Sequence, residues 1–241
     1  LASSQRGLMR GALGLAFLLI TIPAQGHDHS RCVVDARDRE VCLHNAARRI
    51  ATLSPGATEL TWAAGAGDQV VAVVSYSDYP PQAQEVASVG SHTRIDLEAL
   101  VGLAPDLVIG WVTGNPAEQM ETLEALGMPV FYIEPRSVED VAHTIERLAR
   151  LAGTEPTGRQ AASEFRDGMA ALTARYRERD PVPTFYQVWD EPLMSVNNEH
   201  LIGQVVELCG GENVFGELER LVPRLDDEAV LAANPEAIIA G

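Results

Sequence analysis

One passage of this chain occurs twice, and it restricts the fold more than any other feature. The run from Asp96 to Gly110 aligns without a gap with the run from Asp226 to Ala240, 130 residues later. Both copies read acid, Glu, short helix, Pro, acid, apolar strand. A helix passed through a proline into an apolar run is a unit of parallel α/β architecture. Such units also recur by chance in α/β chains. The matched Glu98 and Glu228 favour two related halves.

The rest of the sequence fits that reading. Apolar runs bounded by Gly and Pro predict strands over 49–53, 70–74, 107–109, 129–132 and 184–188. Helices are predicted over 58–64, 97–103, 118–126, 138–152 and 201–208, with Ser54-Pro55-Gly56 read as a turn. Residues 157–179 place Ala161, Ala162, Phe165, Met169, Leu172 and Tyr176 at three- and four-residue steps. That spacing predicts one long helix, roughly 30–35 Å at 1.5 Å per residue. The expected fold is α/β, with two Rossmann-like lobes joined by a single long backbone helix and a ligand cleft between them. The N-terminal lobe is expected over 49–153, the linker over 154–180 and the C-terminal lobe over 181–241. In the first copy Trp111 leads on into a further helix and strand. The second copy stops at Gly241, so the second lobe is expected to be incomplete at its C-terminus.

The first 26 residues read as an address. Arg6 and Arg10 precede the apolar run Gly11 to Ile22, Pro23 breaks it, and Ala24-Gln25-Gly26 offers small residues for cleavage. A cleaved signal peptide, export to the periplasm and a mature start at His27 are expected. His29-Ser30-Arg31 ahead of Cys32 is not a lipoprotein box, so a released protein is expected. His27-Asp28-His29 reads as a solvated terminus before it reads as a metal site. Cys32 and Cys42 flank nine residues that read as two short strands and a turn, a hairpin extension over 27–48. In an oxidising compartment they are expected to form a disulfide. Zinc is the rival, and two thiols make a poor zinc set. Cys209 is left over, as a buried free thiol or with a partner outside this chain.

Charge and missing motifs narrow the function. There are 34 Asp and Glu against 18 Lys and Arg, for a formal net charge of −16. Cleavage after residue 26 would remove Arg6 and Arg10 and take it to −18. Such acidity argues against nucleic acid and anionic lipid as partners. No phosphate loop, His-Glu-x-x-His or Gly-x-Ser-x-Gly motif is present. An exported hydrolase would need a catalytic pair that the sequence does not offer. Aromatics are only 5% of the chain, yet Tyr76, Tyr79, Trp111 and Trp189 all follow predicted strands. Ligands of parallel sheets bind beyond the carboxyl ends of strands, so these rings predict a stacking pocket.

These residues carry a resemblance. Leu53-Ser54-Pro55 with Thr58-Glu59-Leu60, Ser75 to Pro81, Pro105 to Ile109, Gly114-Asn115 and Cys209 to Asn213 are the matching stretches. From about Arg49 to Gly241 the chain resembles the periplasmic cobalamin-binding proteins of ABC importers, in the helical-backbone (class III) substrate-binding group. The resemblance implies a non-enzymatic carrier with cobalamin as transported ligand, no cofactor or metal of its own, and a monomer. Tyr76 matches a corrinoid-contacting Tyr, and Trp111 a pocket Trp. With Trp189 they would stack on the ligand. Met194 falls where the family can place Phe. His92 and Val222 fall where well-known members have Trp. Another corrinoid, haem or an iron-siderophore is the alternative cargo, with His92 and Tyr76 readable as haem ligands. Glu98 and Glu228 match two glutamates that dock onto arginines of the membrane permease. The family pairs the cysteine at Cys209 with one near the C-terminus.

Overall fold

The computed structural model describes residue 1 and residues 30–240. The remainder of the expected leader and the His27-Asp28-His29 run lie outside the described residues. Among the described residues no helix is long and apolar enough to cross a membrane.

Strands β1 (Arg31–Val34) and β2 (Glu40–Leu43) form an antiparallel hairpin in which Cys32 lies opposite Cys42. The two are joined in a disulfide, which removes both thiols from the zinc alternative. Asp35 closes the turn by accepting the backbone N–H groups of Arg37 and Arg39 at 2.8 and 3.0 Å. The hairpin is tied down by Ala36, whose N–H donates to the Tyr132 carbonyl at 2.9 Å. It is also held by the Arg31 guanidinium, which pairs with Glu155 and donates to the Arg150 carbonyl.

The first parallel sheet comprises β3 (Ile50–Thr52), β4 (Val70–Ala72), β7 (Leu107–Trp111) and β8 (Val130–Ile133), in the order β4-β3-β7-β8. Between them lie a small antiparallel pair, β5 (Gly90–Ser91) with β6 (Arg94–Ile95), and three helices. These are α1 (Pro55–Ala63), α2 (Leu97–Gly102) and α3 (Ala117–Ala125). Next come α4 (Val138–Ala152) and α5 (Glu155–Tyr176). Alternate strand residues enter opposite cores. Ile50, Leu107, Ile109, Phe131 and Ile133 pack with α1, α4 and α5. Ala51, Val108, Val130 and Tyr132 pack with α2 and α3. All four residues of β8 are buried, as a parallel strand covered on both faces requires. The chain leaves β3 for β4 on one side and reaches β7 on the other. The sheet order therefore reverses beside β3, and the carboxyl ends there open a crevice.

The second sheet repeats this order. Its strands are β9 (Val182–Gln187), β10 (Gly211–Asn213) and β11 (Ala237–Ala240), all parallel and ordered β10-β9-β11. It carries α6 (Leu201–Leu208) and α7 (Asp227–Ala233). The duplicated passage becomes α2 with β7 and α7 with β11. Each helix is capped by the matched aspartate: Asp96 accepts from the Ala99 N–H at 3.0 Å, Asp226 from the Ala229 N–H at 2.8 Å.

Several boundaries move for local reasons. Ser54-Pro55-Gly56 is no free turn. Ser54 caps α1 by accepting the Ala57 N–H at 3.1 Å, and Pro55 opens the helix, where its missing N–H is harmless. The long helix starts at Glu155 rather than 157, with a proline again in its first turn, and ends at Tyr176. Cys209 is exposed, so the buried-thiol alternative is overturned. The buried stripe of α6, Gly203 and Val206, would carry position 209 inward if the helix continued. Instead the helix ends at Leu208, Cys209 is its C-cap, and Gly210 turns away with φ +86°.

Candidate ligand-binding site

The crevice holds a cavity of about 500 Å³. Each strand end contributes to its wall. Ser54, Pro55 and Gly56 follow β3, Tyr76 follows β4, Trp111 ends β7, and Glu134 and Pro135 follow β8. His92 comes from the turn between β5 and β6, and His200 crosses from the C-terminal half. Few charges and several rings around such a volume suit a small organic ligand.

Tyr76 is held in a strained position. Its φ is +67°, in the left-handed region that a bulky side chain seldom enters. The Ser77 N–H closes the turn onto the Val74 carbonyl at 3.2 Å. Ser75 donates from both N–H and Oγ to the Gly90 carbonyl, at 2.8 and 2.9 Å. Beneath the turn, Thr58 Oγ1 lies 2.7 Å from Thr52 Oγ1 and 3.1 Å from Ser77 Oγ, all three buried. This hydroxyl chain anchors the loop to β3 and α1 and leaves Tyr76 82% exposed.

His92 and Trp111 stand together, ring centroids 5.8 Å apart and tilted 46°. The Trp111 N–H donates to Asn115 Oδ1 at 2.6 Å. Opposite them, His200 caps α6: its Nδ1 accepts the Ile202 N–H at 3.1 Å. That bond puts the neutral ring's proton on Nε2. Burial lowers the His200 pKa below its ordinary value, and nearby Glu134 pulls weakly the other way. Glu134 is itself held by Thr113, which donates from N–H and Oγ1 at 3.0 Å each.

The expected residues thus divide. Tyr76, His92 and Trp111 share the cavity; Trp189, Met194 and Val222 are not part of its lining. Those three gather instead beyond β9. Met194 pairs with Trp189 on one side and Arg224 on the other. Val222 lies between Leu221 and Pro223, whose carbonyls accept the N–H groups of Asn197 and Ser195. The Trp189 indole turns back to donate to the Glu191 carbonyl at 3.0 Å, and the residue is 61% exposed. Glu98 and Glu228 are each the second residue of their helix, exposed and outside the cavity.

Sequence reasoning assigns no role to Glu134 and His200, which line the cavity, or to Gly114 and Asn115, which stand behind its wall. Glu134 follows a strand end, so the rule that singled out the aromatics would have found it. Gly114-Asn115 stands out in the sequence only as a matching string. His200 carries no periodic signal; only the predicted start of α6 at Leu201 marks it as a cap.

Residues 50–241 of the chain match a family model described as "Periplasmic binding protein". A vitamin B12-binding protein of Vibrio parahaemolyticus is 38% identical over 79% of this chain and 69% of its own. One from Yersinia pseudotuberculosis is 36% identical over 96% and 76%. Among solved structures, the periplasmic vitamin B12 binding protein BtuF of Vibrio cholerae is 37% identical, with TM-score 0.74 over 81% of this chain and 76% of that one. The periplasmic heme-binding protein RhuT from Roseiflexus sp. RS-1 has TM-score 0.73 over the same shares at 24% identity, a likeness of fold alone. With residues 50–241 matched and relatives above 35% identity, the chain belongs to the periplasmic binding protein family.

Proposed function

We propose that this protein captures cobalamin, or a related corrinoid, in the periplasm and hands it to an ABC importer. The carrying observation is the cavity at the carboxyl ends of the first sheet, where Tyr76, His92 and Trp111 converge and His200 faces them. A broad planar ring with an amide rim suits such walls: faces stack on Tyr76 and Trp111, and the His200 Nε2–H reaches a carbonyl. The names of the 36–38% identical relatives support the same cargo. No covalent step is needed, and the protein acts as a carrier, not an enzyme. Residues 1–26 serve as the export signal. Residues 49–153 and 181–241 act as lobes about the 154–180 linker, with Trp189, Met194 and Val222 offered to the ligand from the second lobe. The stiffness of α5 keeps lobe closure small, so the permease reads the spacing of Glu98 and Glu228.

A second reading, haem as cargo, is favoured by two imidazoles and a phenol in one cavity. Titrating the full chain with cyanocobalamin and with haem, followed by tryptophan fluorescence, separates the two. Quenching by micromolar cyanocobalamin is expected; quenching by haem alone would reverse the assignment.

A further inference from the structure

Asn115 does not line the cavity, yet it touches three of its walls. Its side-chain oxygen accepts the Trp111 N–H at 2.6 Å. Its amide nitrogen donates to the Leu53 carbonyl at 2.8 Å and the His92 carbonyl at 3.0 Å. Its own N–H donates to the Trp111 carbonyl at 3.1 Å. Leu53 leads directly into the Ser54-Pro55-Gly56 wall, and His92 and Trp111 are the paired rings. One buried carboxamide thus joins segments 62, 23 and 4 residues away in the chain. Both amide hydrogens and the oxygen are used, which only a carboxamide achieves; a carboxylate cannot donate to two carbonyls.

The neighbouring glycine fixes the ring itself. A Cβ built on Gly114 would overlap the six-membered part of the Trp111 indole, and no nearer atom of any other residue stands in its way. Gly114 is not among the glycines with left-handed backbone, so its conformation would accept alanine. The missing side chain serves the indole and not the backbone.

We infer that Gly114 and Asn115 are positioning residues for the ligand wall: Asn115 sets the backbone of Trp111 and His92, and Gly114 seats the indole. The ligand arm of this inference rests on the corrinoid reading; the ring-position arm does not. The full chain labelled with 5-fluorotryptophan gives separate signals for Trp62, Trp111 and Trp189, assigned with Trp111→Phe. Gly114→Ala and Asn115→Asp should each shift the Trp111 signal and spare that of Trp189. Each should weaken cyanocobalamin binding by about tenfold or more, as a displaced contact surface does. A folded variant that keeps both the parent's Trp111 signal and its affinity overturns the inference. So does a loss of thermal stability without a selective Trp111 shift. If Asn115→Asp fails to fold, Gly114→Ala decides alone. If the parent itself ignores cyanocobalamin, the corrinoid reading falls, and the Trp111 signal still decides the positioning role.

Discussion

The Nδ1 atom of His200 accepts the backbone N–H of Ile202 at 3.1 Å, so a cavity wall is also a helix cap. Protonating Nδ1 would break this bond and place a positive charge at a helix N-terminus. Burial already lowers the ring's pKa. An unfolded histidine takes up its proton near about pH 6.5. Below that pH the unfolded chain binds more protons than the folded one, so stability falls as pH drops. Above it the folded chain carries no such penalty. His200→Asn keeps a capping acceptor without titrating. The loss of melting temperature between pH 8 and pH 5.5 should be smaller in this variant than in the parent. An equal loss would show that His200 does not titrate as argued.

The Cys32–Cys42 bond closes a short loop, with a sequence separation of 10. Chain entropy gives such a closure about 3 kcal/mol. Replacing both cysteines by serine should lower the melting temperature and fray the hairpin, whose other ties include Ala36 to Tyr132, Arg31 to Glu155, Arg39 to Glu124 and Arg150 to the Cys32 carbonyl. No hairpin residue lines the cavity. Ligand affinity in calorimetry should therefore match the parent. A large affinity loss in the folded variant would mean that the hairpin shapes the cleft.

Much of this fold is legible locally. Leu201–Leu208 is a helix with the bounds its apolar pattern suggests. The two halves could be paired because Asp96 and Asp226 cap equivalent helices, and a capping signature lies within a few residues. Tyr76 and Trp111 were legible because ring-bearing residues after strands are scarce here. Asn115 was not, since its partners Leu53 and His92 are remote in sequence and a hydrogen bond leaves no periodicity. The β5–β6 pair is only two residues a side, too short for alternation to register. Trp189 follows β9 of the second sheet and its indole bonds back to Glu191; a strand-end position alone does not tell which sheet's crevice a ring will line.

Trp111 lies in the cavity lining and Trp189 does not. If this cavity seats the ligand, the two should differ on truncation. Trp111→Ala is expected to weaken cyanocobalamin binding by about tenfold to a hundredfold, the range of a central aromatic anchor. Trp189→Ala should cost less, because its exposed ring reaches the ligand only from the second lobe. Isothermal titration of both variants gives the ranking. The reverse order would move the ligand seat to the loops beyond β9.

Glu98 and Glu228 are the second residues of α2 and α7, each behind an aspartate cap, each exposed. Both are clear of the cavity lining. A carboxylate there complements the helix dipole, worth about 0.3–1 kcal/mol, so reversing either charge costs little of the fold. The same placement in both halves gives two like charges for a partner with two basic pockets. Electrostatic complementarity of that kind governs orientation and capture rate more than the cargo's affinity. Glu98→Arg with Glu228→Arg should therefore abolish uptake of cyanocobalamin by cells or by reconstituted importer, while solution affinity for cyanocobalamin stays at the parent's value. Each single reversal should give partial uptake that worsens with added salt, as exposed charges are screened. Uptake that survives the double reversal, with the protein folded and loaded, would refute the docking role of both glutamates.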